Sequence, residues 1–252
     1  MTSAKLELLD IFSYSCMNCL RSLDYIKKLN NKYKKYGLKT VLIHPPEWDF
    51  ENDANNILRA ARTYNIKIPI IMDKGKKIIK KLKVNFWPAQ ILVKDNKILY
   101  RHIGEGSCRN LENKIRKILK NGSKKIFNDE PKYQKFQTIY AGKRKKGVIS
   151  ELKDKLKFGV IYKKGLWKQN NESLVGKGSL TIRTKGKVIS MVASSINKKS
   201  ISPKMIINKK NIGNLKINKP QLYKIIELKN YTPKTLSIET KSKMQVYSFA
   251  FQ

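Results

Sequence analysis

Cys16 and Cys19 stand three positions apart in Ser13-Tyr14-Ser15-Cys16-Met17-Asn18-Cys19, where an apolar run gives way to a helical pattern. The spacing lets one thiolate attack a disulfide and lets its neighbour, one helical turn on, resolve the mixed intermediate. Before it, Leu6-Glu7-Leu8-Leu9-Asp10-Ile11-Phe12 reads as a short buried strand. After it, Leu20, Leu23, Ile26 and Tyr33 recur at helical spacing, with Arg and Lys opposite. Cys16 therefore falls at a helix N-terminus, where unpaired N–H groups and the helix dipole favour a thiolate. Cys19 would be the more buried of the two. Thiol–disulfide exchange is the chemistry this segment favours.

Two other uses of the pair are weaker. A tetrahedral zinc needs about four ligands, and Cys108, His44 and His102 form no second close-spaced pair. A structural disulfide across so short a loop would remove little chain entropy. Asp10 adds to the redox reading, because a carboxylate inside an apolar strand is unfavourable to bury. With a raised pKa it could accept or relay the Cys19 proton; the alternative is a strand-edge Asp facing water. Further on, Asn85-Phe86-Trp87-Pro88-Ala89 precedes the strand Gln90–Val93. A proline there, flanked by aromatics, could form a cis-proline turn.

Together these residues resemble the thioredoxin superfamily, and within it the TlpA/DipZ-like thiol–disulfide oxidoreductases. The resemblance runs through DIFSYSCMNCLRSLDYI, VLIHPPEWDFENDANNILRAARTYNI, FWPAQILVKDNKILYRHIGEG and LENKIRKIL, over residues 5 to 120. It implies an α/β thioredoxin fold with Cys16 as attacking thiol, Cys19 as resolving thiol and Asp10 as the buried strand carboxylate. It implies that Pro88 is a cis-proline facing the pair and that Trp87 offers backbone groups to an extended substrate, with Tyr14 also on the substrate-binding side. Glu47 falls near a carboxylate that assists proton transfer in such proteins, and Trp48 and Phe50 would either rim that face or pack a loop. A thiol peroxidase shares this fold, but its threonine-containing peroxidatic motif is missing at Cys16. No metal is expected, and no cofactor beyond the cysteine pair itself.

Among the remaining titratable residues, Cys108 at a helix start reads as a packed thiol and His102 as a structural histidine. His44, at the carboxyl end of a strand beside Pro45-Pro46-Glu47, is the better ligand candidate, since crevices of open α/β sheets lie at such ends.

Past Leu119 the character changes. Asn121-Gly122-Ser123 and Asn128-Asp129-Glu130-Pro131 punctuate a polar connector, giving a redox domain over 1–122, a linker over 123–134 and a second domain over 135–252. That domain carries β-like runs at Phe136–Ala141, Phe158–Lys163, Ser179–Arg183, Val188–Ala193, Lys204–Asn208, Leu222–Leu228, Thr235–Thr240 and Met244–Phe251. Short strands without intervening helices predict an all-β sandwich. The runs Leu166-Trp167-Lys168, Leu222–Leu228 and Val246–Phe251 resemble the jelly-roll, carbohydrate-binding-module-like domain attached to DipZ-type thioredoxins. Trp167 and Tyr162 could stack on a sugar, although core packing suits them better.

The net charge of +37 invites a nucleic-acid reading. The excess is +14 over residues 1–130 and +23 over the rest, mostly lysine, with no arginine-rich arm or RNA-binding motif. It predicts attraction to acidic partners, not a specific nucleic-acid site. Lys143-Arg144-Lys145-Lys146, its densest cluster, reads as a solvated loop. The expected partners are protein disulfides or dithiols and a thiol electron donor or acceptor, with a glycan as the alternative for the second domain. No apolar stretch reaches the roughly 18 residues of a membrane helix, and no secretory leader is visible. The composition thus reads as cytoplasmic, while the resemblance implies an extracytoplasmic alternative, because such relatives usually carry a leader and an N-terminal hairpin before the redox strand.

Overall fold

The computed structural model describes residues 6–120, 124–126, 138–197 and 199–251. They belong to two compact units that divide between residues 133 and 134. Most of the predicted linker lies outside the described residues. No described helix is long and apolar enough to cross a membrane.

The first unit runs β1 (Leu6–Ile11), α1 (Met17–Tyr33), β2 (Leu38–His44), α2 (Ala54–Thr63), β3 (Ile70–Met72), α3 (Lys77–Lys81), β4 (Ala89–Lys94), β5 (Lys97–Ile103) and α4 (Cys108–Ile118). Its sheet has the order β3-β2-β1-β4-β5, parallel through β3, β2 and β1 and antiparallel through β4 and β5. β1 is central, so both its faces are covered, and its near-continuous apolar sequence follows from that. Strand alternation then sorts the side chains. Leu6 and Leu8 join Cys19, Leu23 and Ile26 of α1 in one core, while Leu9 and Ile11 join Val41, Ile43, Ile79 and Ile91 in another. By the same parity Asp10 faces the α1 side, beneath Cys19.

The second unit holds β6 (Thr138–Tyr140), β7 (Val148–Glu151), β8 (Val160–Gln169), β9 (Leu174–Lys185), β10 (Val188–Ser195), β11 (Lys204–Ile207), β12 (Lys210–Asn214), β13 (Gln221–Glu227) and β14 (Pro233–Phe251). The sandwich expected from the short strands is present as a strand-rich domain. The two runs predicted at Thr235–Thr240 and Met244–Phe251 form a single strand, whose register shifts between Thr240 and Met244. Up to that shift β14 lies between β9 and β11, in the order β12-β11-β14-β9-β8-β7; beyond it, β14 stays paired with β9 through Val246 and takes β10 and then β6 as further partners. One core fills the interior, drawing Leu180, Ile182, Met191, Leu236, Ile238, Val246 and Phe249 from both stretches. Trp167 and Tyr162 are 8% and 4% exposed, so they are packing residues with no face open to a sugar.

Candidate active site

Cys16 is the N-cap of α1, in extended backbone, and its Sγ accepts the Cys19 N–H at 3.3 Å. A sulfur standing where Ser or Asp usually caps a helix sits directly among the unpaired N–H groups of the first turn. Both cysteines are free thiols; Cys16 is half-buried and Cys19 has no exposure. Burial pushes the Cys19 thiol well up, and its hydrogen bond with Cys16 and the charge of Cys16 add to this. A hydrogen bond from the Ser13 backbone pulls it part of the way back. One thiol therefore meets solvent and the other is held protonated behind it.

Beneath them lies Asp10, wholly buried on the central strand, which removes the alternative of a water-facing edge residue. β1 and β4 register sets Asp10 opposite Gln90, whose Nε2 donates to Oδ1 at 3.0 Å; Oδ2 has no hydrogen-bond partner. Burial raises the carboxyl from its usual 3.8 to about 7, against a smaller lowering by Gln90. A carboxyl that titrates near neutrality, with one oxygen open and on the Cys19 side of the sheet, has the properties of a proton acceptor for a buried thiol.

Trp87 and Pro88 are joined by a cis peptide, just before β4. Trp87 Nε1 donates to Glu47 Oε2 at 3.3 Å, so the structure brings together Glu47 and Trp87, two of the residues singled out by sequence. Tyr14 is placed differently from the substrate-facing position assigned to it. It is 1% exposed and stacks on His44 with ring centroids 5.2 Å apart, so it packs the inner wall of the site. Trp48 is likewise buried, and Phe50 half-buried.

His44 is not set up as a ligand. It lies between Phe12 and Tyr14 with no exposure, and among the described residues neither ring nitrogen has a hydrogen-bond partner beyond its own backbone. Burial lowers its pKa to about 4, so the ring is neutral at pH 7 and its 3.9 Å approach to Glu51 is not an ion pair there. Cys108 is buried in the core with Leu111 and Ile115. The described residues hold no cluster of three or more His, Cys, Asp or Glu that could bind a metal.

Three residues of the site were not singled out in the sequence. Gln90 is the partner of Asp10; a polar side chain in the buried run Ala89-Gln90-Ile91-Leu92 was its available signal. Glu105 forms a two-point pair with Arg21, whose Nε donates at 2.6 Å, and the same guanidinium donates to Asn18, between the cysteines, at 3.0 Å. That ties the first turns of α1 to the Gly104-Glu105-Gly106 loop.

Glu51 is the third. Its buried carboxylate accepts Ser13 Oγ at 2.6 Å, Ser15 Oγ at 2.7 Å, the Glu47 N–H at 2.6 Å and the Trp48 N–H at 3.4 Å. Burial raises its pKa, and the serine and backbone donors oppose that. Through these bonds one side chain fixes both the turn that delivers Cys16 and the segment that carries Glu47. Glu51→Ala takes the acceptor from four donors. The two serine hydroxyls, 3.2 Å apart, can still bond each other and the Glu47 N–H is only part-buried. Each buried donor left unpaired costs roughly 1–3 kcal/mol. The variant is therefore expected to lose about 3 kcal/mol in urea unfolding. A loss below about 1 kcal/mol would show that the turn is held by other means.

The comparisons with known proteins agree with this geometry. The family model described as Redoxin matches residues 5–118, and the one described as Thioredoxin like C-terminal domain matches residues 134–251. Protein DipZ of Mycobacterium bovis is 30% identical over 129 residues, covering 50% of this chain and 18% of that protein. The chloroplastic protein SUPPRESSOR OF QUENCHING 1 of Arabidopsis thaliana is 30% identical over 129 residues, 50% of this chain and 12% of that protein. Thiol-disulfide oxidoreductase ResA of Bacillus thuringiensis is 31% identical over 104 residues, 41% of this chain and 57% of that protein. The chain thus spans well under two thirds of the length of each of these relatives. With a Redoxin domain built around the Cys16–Cys19 pair and a thioredoxin-like C-terminal domain after it, the chain belongs to the thioredoxin superfamily as a TlpA/DipZ-like member.

Proposed function

We propose that this protein exchanges disulfides with protein substrates through the Cys16–Cys19 pair. The observation that carries the proposal is the pairing of a half-exposed, helix-capping thiol with a wholly buried one that stands over Asp10. In the reducing direction, Cys16 thiolate attacks one sulfur of a substrate disulfide. That S–S bond breaks, the first substrate thiolate leaves and takes a proton, and a Cys16–substrate mixed disulfide remains. Asp10 accepts the Cys19 proton, and Cys19 thiolate attacks Cys16 Sγ. The second substrate thiolate leaves, and the Cys16–Cys19 disulfide closes. The substrate has gained two electrons that the cysteine pair has lost, and a dithiol donor restores the pair. No other cofactor takes part. In the oxidising direction the same steps run backwards.

On this reading Trp87 and Pro88 offer the surface for an extended substrate, and Glu47, bonded to the Trp87 ring, assists proton transfer during the exchange. The test is insulin reduction driven by dithiothreitol, combined with a glutathione titration of the pair. Turnover above that of dithiothreitol alone is expected, with a potential near about −270 mV for a reductant or −120 mV for an oxidant. Absence of turnover with both insulin and a mixed glutathione disulfide would remove the proposal.

A further inference from the structure

Across the β11-β14-β9-β8 part of the second unit, register aligns Lys204 with Glu239, Glu239 with Ser179 and Ser179 with Lys164. Residues directly opposite one another project from the same face, so these four form one row across four strands. A cleft of about 630 Å³ follows the row, with Ser202, Lys241 and Ser242 also on its walls. That volume is within the range of small-molecule sites.

The cleft has a specific cause. Gly165 and Gly178 face each other across β8 and β9 with φ of +104° and +118°, and a Cβ on Gly178 would come within 2.2 Å of the Lys164 carbonyl oxygen. Only glycine fits there, so no side chain fills this part of the floor. On the other side β14 leaves its register after Thr240, whose Oγ1 donates to the Ser242 carbonyl at 2.7 Å and fixes the bend.

The charges in the cleft are open. Where register sets a lysine opposite a glutamate elsewhere, an ion pair closes: Lys39 with Glu7 at 2.9 Å, and Lys163 with Glu151. Lys204 and Glu239 stand in the same relation, yet among the described residues neither of them, nor Lys164 opposite Ser179 beyond them, makes an ion pair or a side-chain hydrogen bond. Among the described residues no aromatic ring lines the cleft, so a neutral sugar finds no stacking surface on them. Lys164 and Lys204 lie three strand spacings apart, about 14 Å, which a single phosphate or carboxylate does not span. Glu239 between them repels a continuous polyanion and accepts from a hydroxyl, and Ser179, Ser202 and Ser242 can both donate and accept.

We propose that this cleft binds an acidic saccharide, a hydroxylated ligand with at least two negatively charged groups separated by hydroxyls. Lys164, Lys204 and Lys241 take the acidic groups, and Glu239 and the serines take the hydroxyls. The inference stands independently of the redox reading. The +23 charge of residues 131–252 draws such a ligand in.

The test is calorimetric titration of the whole chain near about 0.15 M salt. The probes are trigalacturonic acid and a chondroitin sulfate tetrasaccharide, to distinguish carboxylate from sulfate, with maltotriose and tripolyphosphate as the neutral and hydroxyl-free comparisons. At least one acidic saccharide is expected to bind saturably, and at least about tenfold more tightly than either comparison. Lys164→Ala with Lys204→Ala should weaken it by about tenfold or more. Lys168→Ala with Lys210→Ala makes the same charge change outside the cleft and should leave binding within about twofold. Glu239→Gln should narrow the preference over tripolyphosphate. Three results would each overturn the proposal: no saturable binding of either acidic saccharide, tripolyphosphate binding as tightly, or equal losses in the two lysine pairs.

Discussion

Cys16→Ser is expected to lower insulin reduction by at least about a thousandfold, to the level of the chemical reductant alone. A serine hydroxyl is not ionised near neutral pH, and the helix N-terminus that favours a thiolate cannot make an alkoxide of it. Neither remaining cysteine can substitute, because Cys19 and Cys108 are both without exposure. Cys19→Ser should behave differently. Its Cys16 still attacks, but the mixed disulfide has no resolving thiol, so the variant should accumulate as a covalent adduct visible by mass spectrometry and released by dithiothreitol. Cys16→Ser retaining a tenth of the activity, or a Cys19→Ser protein that turns over without an adduct, would assign the chemistry elsewhere.

Asp10→Asn should stabilise the protein while slowing it. The Asp10 carboxyl titrates at about 7 in the fold against 3.8 as its ordinary value. Between those values the folded state holds a proton that the unfolded chain has released, so stability falls as pH rises through the window. The loss is complete above about pH 8 and amounts to at most about 4 kcal/mol, from roughly 1.36 kcal/mol per pH unit. The asparagine amide carries no charge at any of these pH values. The variant should therefore match the parent near about pH 4 and exceed it by up to about 4 kcal/mol near pH 8.5, measured by urea unfolding. Asparagine cannot accept the Cys19 proton, so resolution of the mixed disulfide should slow by about a hundredfold. A stability difference that does not vary with pH would mean that Asp10 is ionised throughout.

The redox half was legible because its chemistry is local. A thiol pair at a strand–helix junction, an acid inside an apolar run and a proline before a strand each announce themselves within a few residues. What escaped depends on register or on distant contacts. Gln90 matters because antiparallel pairing sets it opposite Asp10, and Glu51 because the chain after β2 folds back onto Ser13 and Ser15. Glu47 and Glu51 lie four residues apart in one acidic–aromatic segment, and nothing in it says that Glu51 has four donors aimed at it. Tyr14 was misplaced for a similar reason: adjacency to Cys16 suggests the rim, whereas the turn points its ring inward onto His44. In the second half the apolar strands were readable by alternation. β7, Val148–Glu151, and β12, Lys210-Asn211-Ile212-Gly213-Asn214, were not, because a short or polar edge strand has no pattern of its own. The division of β14 into two runs followed the polar residues at its bend, which interrupt the alternation while the strand continues.

The position of β14 in the chain has a consequence for synthesis. β9, β10 and β11 all take it as a neighbour, yet it is the last strand of its unit to be made. Until residues 233–251 leave the ribosome, those three strands each carry an unpaired edge, and the interior has no Leu236, Ile238, Val246 or Phe249 to close it. The redox unit has all its strands by residue 103 and can fold while its partner domain is still incomplete. The β-domain closes as a single late event, with its edges open to other chains throughout the wait.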